Sequence, residues 1–269
     1  MKKRLPAVAG YFYPATLREL LNMLSQFIKE VPNKVPLWGC IVPHAGYIYS
    51  GKVAGAVYSL MEVPDVAVII GPNHNGLGYP SAIYSEGIWT TPLGEVEIDS
   101  VLSQKILQQS NYLKEDTLAH QPEHSLEVQV PFLQYINPNI KIVPITVVDY
   151  SYEVLKDLGY AISQAVRDYE YNTVIIASSD FSHYEPHEIA KQKDYYAIES
   201  ILNLDEKEFI KRVIEKDISI CGVGPIVITM IAVKLLGSKR AKLVDYQTSG
   251  NVTRDFDQVV GYAGIIFPK

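Results

Sequence analysis

Val66-Ala67-Val68-Ile69-Ile70-Gly71-Pro72-Asn73-His74 opens as an unbroken apolar run rich in β-branched residues and closes in a turn that carries a histidine. Strict alternation would mark a strand with one wet face, whereas a continuous run of this length marks one covered on both faces, as in a parallel sheet. Upstream, Leu37 to Val42 reads as a second strand ending at Pro43-His44, and Gly51 to Met61 places small and apolar residues at helical spacing between the two. That is a strand, helix, strand unit. Downstream, Lys141 to Val148 and Thr173 to Ala177 repeat the strand pattern, with a helix predicted over Tyr152 to Tyr169 between them. Further helices are predicted over Leu17 to Val31, Asp99 to Gln109, Glu123 to Tyr135, residues 187 to 203 and 205 to 215, and from just after Cys221 to Leu236. Strands near Leu243 to Tyr246 and Val259 to Phe267 close the chain. The rhythm predicts an α/β fold, one domain over residues 1–269 with a mostly parallel central sheet flanked by helices.

Composition narrows the function. A chain of 269 residues, 48% hydrophobic, can bury one sizeable core. Acidic residues outnumber basic ones by 30 to 24, for a formal charge of -6, so the basic surface of a dedicated nucleic-acid binder is missing. Ile226 to Val233, the longest apolar stretch, meets Lys234 well short of the ~18 residues of a membrane span. Pro6 to Gly10 is too short for the apolar core of a secretory signal. Neither membrane insertion nor export is expected. Only two cysteines, Cys40 and Cys221, in so large a chain fit a reducing cytoplasm. Cys40 lies inside an apolar strand and reads as an inert core residue, so no disulfide is expected.

The polar residues gather after the buried strands. Three strands end in histidine-bearing turns: Val42-Pro43-His44-Ala45-Gly46, Gly71-Pro72-Asn73-His74-Asn75, and Ser178-Ser179-Asp180-Phe181-Ser182-His183. Half of the six histidines fall there. In an open parallel sheet, ligands sit at the carboxyl ends of the strands, so these turns are expected to aim imidazoles into one crevice. Imidazole is a frequent metal ligand and the usual proton carrier near neutral pH. Asp180 and His183, three residues apart, suit a carboxylate–imidazole pair for proton transfer or substrate binding. Cys221, before Gly222 and a helix start, is a position where a thiol tends toward thiolate; metal ligand, nucleophile and buried apolar residue all fit it. Glu123-His124-Ser125-Leu126-Glu127 would set His124 and Glu127 on one face of a helix start, where acidic residues are ordinary. His120 and His187 are expected in solvent.

These segments, together with Arg4 to Pro14 at the start and Thr248-Ser249-Gly250-Asn251-Val252 near the end, resemble the Memo family almost from end to end. Its relatives by fold are the class III extradiol dioxygenases of the LigB type. The resemblance implies a LigB-like fold and one pocket in which His44, His74 and Cys221 occupy metal-ligand positions, with Asp180 and His183 beside them as catalytic candidates. A thiolate in place of the carboxylate of the extradiol relatives makes a softer site, implying iron or copper, with zinc as a third choice. Where animal members carry paired histidines, this chain has Asn75 after His74, and Gly224 stands after Cys221-Gly222-Val223. The implied function is a metal-dependent redox or dioxygenase-like enzyme acting on a small molecule, in a pathway shared with a radical-SAM enzyme and an AMMECR-type protein. Its rivals are a non-catalytic metal- or peptide-binding adaptor, and metal-free hydrolysis with Cys221 as nucleophile and His183 as base.

Overall fold

A computed structural model describes residues 2–148 and 150–269. Four parallel strands form the middle of the sheet: β1 (Leu37–Val42), β2 (Val66–Pro72), β3 (Lys141–Val147) and β4 (Thr173–Ser178). Their spatial order is β3, β2, β4, β1. The chain ends in an antiparallel pair, β5 (Lys242–Thr248) and β6 (Val259–Pro268), and β6 lies directly against β1, with Ile265 opposite Ile41. Beyond β3 the sheet continues through Gly94–Ile98, Ile88–Thr91 and Lys3–Arg4. The architecture is the mostly parallel α/β sheet flanked by helices that the sequence predicts.

All seven residues of β2 are buried, and they divide by pleat between two cores. Val66, Val68 and Ile70 face α3 (Ser100–Gln109), α5 (Tyr152–Arg167) and α8 (Val223–Leu236). Ala67 and Ile69 face α1 (Leu17–Phe27), α2 (Tyr47–Leu60) and α4 (Val130–Ile136). The same pleat puts Cys40 of β1 into the second core. Helix α8 holds the longest apolar stretch and is buried from Gly224 to Val233, because it is packed between α5 and the sheet. No helix among the described residues is long and apolar enough to cross a membrane. The polar helices are α6 (His187–Leu202) and α7 (Glu206–Glu215), the latter capped by Asp205, whose carboxylate accepts the Glu208 amide.

Three boundaries depart from the pattern. Helix α1 ends at Phe27 rather than Val31, because the Lys29 amide donates to the Ser59 hydroxyl on α2 (2.8 Å) instead of continuing the helix. Helix α2 begins at Tyr47, one turn before Gly51, directly behind the His44 turn. The helix expected from Glu123 is a 3-10 turn, Glu127–Gln129, followed by α4 with Pro131 in its first turn. Pro131 has no amide hydrogen, so the α-helix starts there and not upstream.

Candidate metal centre

Because β2, β4 and β1 are adjacent and parallel, their carboxyl ends emerge along one edge of the sheet. His44 follows β1, His74 follows β2 and Asp180 follows β4, while Cys221 arrives from the far side at the start of α8. One donor atom from each of His44, His74 and Cys221 lies within 4.8 Å of the others. Nε2 of His44 is 3.2 Å from Sγ of Cys221, and the two histidine rings meet edge to face at 5.2 Å. Metal–nitrogen and metal–sulfur bonds of about 2.0–2.3 Å put neighbouring donors roughly 3.5 Å apart in a tetrahedral shell. The three side chains therefore fit one ion of the borderline-soft kind after adjustments of about an ångström or less.

Backbone and carboxylates hold these groups in place. The Asp180 carboxylate accepts the His44 amide (2.8 Å), and the Asp180 amide donates to Sγ of Cys221 (3.3 Å). Glu123 accepts both the amide (2.7 Å) and Nδ1 (2.9 Å) of His74, and also the amide of Ser125. Burial opposes the charge of Glu123, but the hydrogen bond and charge of His74 and the Ser125 amide outweigh it and bring its carboxyl down to about 2. Burial, reinforced by the neighbouring imidazoles, holds His44 well below the ordinary histidine range, in the neutral form that ligates metals. Burial raises the Asp180 carboxyl to about 6, against the His44 and Ala45 amides that favour its charge. Burial also pushes the Cys221 thiol far up, and the Asp180 carboxylate adds to the effect. The thiolate expected from the helix start is therefore disfavoured: desolvation of the sulfur outweighs the α8 dipole.

Asp180 and His183 keep different hydrogen-bond partners. Nδ1 of His183 goes to the Ser219 carbonyl (2.8 Å), and its amide to the Ser219 hydroxyl (2.7 Å). Asp180 orients the His44 turn instead. His183 is followed by Tyr184, an exposed residue with φ of 59°.

The sequence undervalues His124. Its ring stacks on His74 (4.6 Å), meets His44 edge-on (5.5 Å) and is backed by Phe12 (4.7 Å). His74, Glu123 and His124 form a second group of donors as close-set as the first. Glu127, expected on the same helix face as His124, turns the other way. It pairs with the fully buried Arg4 (2.7 Å) and accepts the Ala7 and Val8 amides and the Tyr13 hydroxyl. His120 is not in solvent: it is buried between the carbonyls of Asp116 and Pro144, against Tyr84 and Trp89. His187 is half-buried, with Nδ1 on the Thr248 hydroxyl. Cys40 and Cys221 are both free thiols.

The fold and the donor group define an α/β protein with two imidazoles and a thiol gathered at one edge of its sheet. A family model described as Memo-like protein matches residues 4–266, and the chain belongs to that family. A relative from Pyrobaculum arsenaticum, named a MEMO1 family protein, is 43% identical, with 100% of both chains covered. One from Aquifex aeolicus with the same name is 45% identical over 99% of this chain and 100% of its own. One from Methanopyrus kandleri is 42% identical over 99% of each. Among solved structures, an uncharacterized protein of Escherichia coli K12 superposes with a TM-score of 0.53 over 78% of this chain and 89% of that one. At 12% identity, that likeness is one of fold.

Proposed function

We propose that His44, His74 and Cys221 hold a single iron or copper ion, and that the protein is a metal-dependent redox or dioxygenase-like enzyme acting on a small molecule. The observation that carries this reading is the convergence of the three donors within 4.8 Å at the carboxyl edge of the sheet. An ion bound there supplies Lewis acidity and one-electron chemistry at a coordination position left open by three protein ligands. The chain's own groups supply the rest. Asp180, with a carboxyl near 6 and the His44 amide on one oxygen, holds or releases a proton beside the sulfur. His183, anchored through Nδ1 to Ser219, moves a proton through its other nitrogen. Phe12 and the His124 ring close one wall and limit water.

Elemental analysis of protein purified without chelators or a histidine tag tests the reading. Stoichiometric iron or copper in the wild type, lost in His44→Ala and in Cys221→Ala with the fold retained, is expected. Wild-type protein that carries no transition metal and takes up none from Fe(II), Cu(I) or Zn(II) would overturn it. A closed shell of four protein ligands would instead assign a carrier role.

A further inference from the structure

The hydrogen bonds around the pocket contain enough information to fix which nitrogen of each imidazole carries the proton. Ser178, the last residue of β4, is fully buried, and its hydroxyl has three partners. Oγ lies 2.6 Å from the Ser125 carbonyl oxygen, 2.8 Å from Nε2 of Gln129 and 3.1 Å from Nδ1 of His44. A serine hydroxyl has one proton and two acceptor positions. Two oxygens at 2.6 Å require a proton between them, and a carbonyl has none to give, so the Ser178 proton goes to Ser125. The Gln129 amide is oriented independently: its nitrogen donates to the Pro43 carbonyl (2.9 Å) and its oxygen accepts the Tyr58 hydroxyl (2.9 Å). Gln129 therefore donates to Ser178 as well. One acceptor position remains on Oγ, and Nδ1 of His44 faces it, so Nδ1 carries the hydrogen.

His74 gives the same answer by a shorter route. Its Nδ1 is 2.9 Å from Glu123, a carboxylate and hence an acceptor only. His183 repeats it with the Ser219 carbonyl, also an acceptor only. Three imidazoles from three strand ends are each met at Nδ1 by an oxygen with no proton to offer.

We propose that Ser178, Glu123 and Ser219 are positioning residues that hold a hydrogen on Nδ1 of His44, His74 and His183, so that Nε2 is the nitrogen of each ring left to bind an ion or exchange a proton. On His44 that nitrogen is 3.2 Å from Sγ of Cys221. On His74 it is the only nitrogen free to bind, so Glu123 acts through His74 and takes no ion itself. The close-set group of His74, Glu123 and His124 is therefore the hydrogen-bonded back of one centre and not a second cation site. An ion there would compete with the hydrogen bonds that Glu123 accepts from Nδ1 and the amide of His74 and from the Ser125 amide. The part that concerns coordination rests on the metal reading above; the tautomers do not.

The test begins with metal-free, chelator-treated wild type labelled with 15N. Long-range 1H–15N correlation spectra at neutral pH read the tautomer of each ring directly, with assignments from His44→Gln, His74→Gln and His183→Gln. Nδ1–H resonances for all three rings are expected, the reverse of the preference of a free neutral imidazole. An Nε2–H tautomer for any of them overturns the assignment for that ring and its partner. In Glu123→Ala, His74 alone is expected to shift toward the Nε2–H form, and in Ser178→Ala, His44 alone. A Co(II) titration, read at the thiolate charge-transfer band, should show affinity reduced about 10–100-fold in each variant. Locked tautomers in a wild type that binds no Co(II) would sink the metal centre and leave the proposal standing. Tight Co(II) binding with the opposite tautomers would do the reverse. If either variant fails to fold, the wild-type spectra still decide.

Discussion

Nε2 of His44 and Sγ of Cys221 lie 3.2 Å apart although the two residues are 177 positions apart in sequence. Neither group is poised to react alone: burial keeps the imidazole neutral, and burial with the Asp180 charge keeps the thiol protonated. Metal-free protein should therefore react with iodoacetamide more slowly at pH 7.5 than a free cysteine, about one order of magnitude for each unit by which the thiol is raised. Asp180→Asn removes the carboxylate that raises it, and alkylation followed by mass spectrometry should accelerate severalfold. Unchanged rates would show that Asp180 and Cys221 are electrically independent. Zn(II) should suppress the reaction in wild type and fail to do so in His44→Ala.

The buried His120 makes stability depend on pH. Burial first, and the Arg4 charge second, lower it from 6.5 to about 4. Between those values the unfolded chain binds the proton and the folded chain does not, so stability is full above about 6.5 and is lost as pH falls toward 4. The loss attributable to this ring is about 3 kcal/mol. Urea denaturation across that range should show the slope, and His120→Gln should flatten it. An identical slope in the variant would remove His120 as its cause.

Arg4 is tied to four partners out of solvent: the Glu127 carboxylate, the carbonyls of His120 and Glu123, and the Trp89 ring face at 4.2 Å. Arg4→Met leaves Glu127 as a buried unpaired charge and should cost about 3–5 kcal/mol. Adding Glu127→Gln should recover part of that loss in chemical denaturation. Additive losses in the double variant would argue against a coupled pair.

Gly222 has no room for a side chain. A Cβ there would strike the Ser179 side chain, whose hydroxyl accepts the Gly222 amide (3.0 Å) and joins the Asp180 turn to the Cys221 turn. Gly222→Ala should lower Co(II) affinity by about tenfold or more, since a ligand displaced by an ångström is poorly placed. The melting temperature should fall as well, because the overlap reaches the Ser179 Cβ and the Ser178 carbonyl and not only a movable hydroxyl. Wild-type affinity in this variant would show that the two turns move independently.

Periodicity made the sheet legible because a doubly covered strand must be apolar at every position, as Val66 to Ile70 are. The meeting of His44 and His74 was legible because parallel strands deliver their carboxyl ends to one edge, whereas the place of Cys221, which follows no such strand, was implied only by the family resemblance. What failed was local. Glu123 looked like helix-start chemistry, yet its carboxylate serves a residue 49 positions away in sequence. Leu126, Val130 and Leu133 carry helical spacing across a segment whose first part is not α-helix, and Pro131 was the available signal of the true start. His120 looked solvated because nothing in its neighbours announces that Trp89 and Arg4 will cover it.

The position of β6 decides when β1 gains its outer neighbour in a newly made chain. As the polypeptide leaves the ribosome, β1, β2 and their helices emerge first, with His44 and His74 already in place along the sequence. Strand β1 nevertheless has one of its two neighbours in Val259–Pro268, and among the described residues β5 pairs only with that same strand. Until Val259–Pro268 is made, one side of β1 is an open edge, although His44, His74 and Cys221, which all precede that segment, are already on the nascent chain. A transcript truncated before Val259 would therefore yield an aggregation-prone product that holds all three metal-ligand candidates beside an unpaired strand edge.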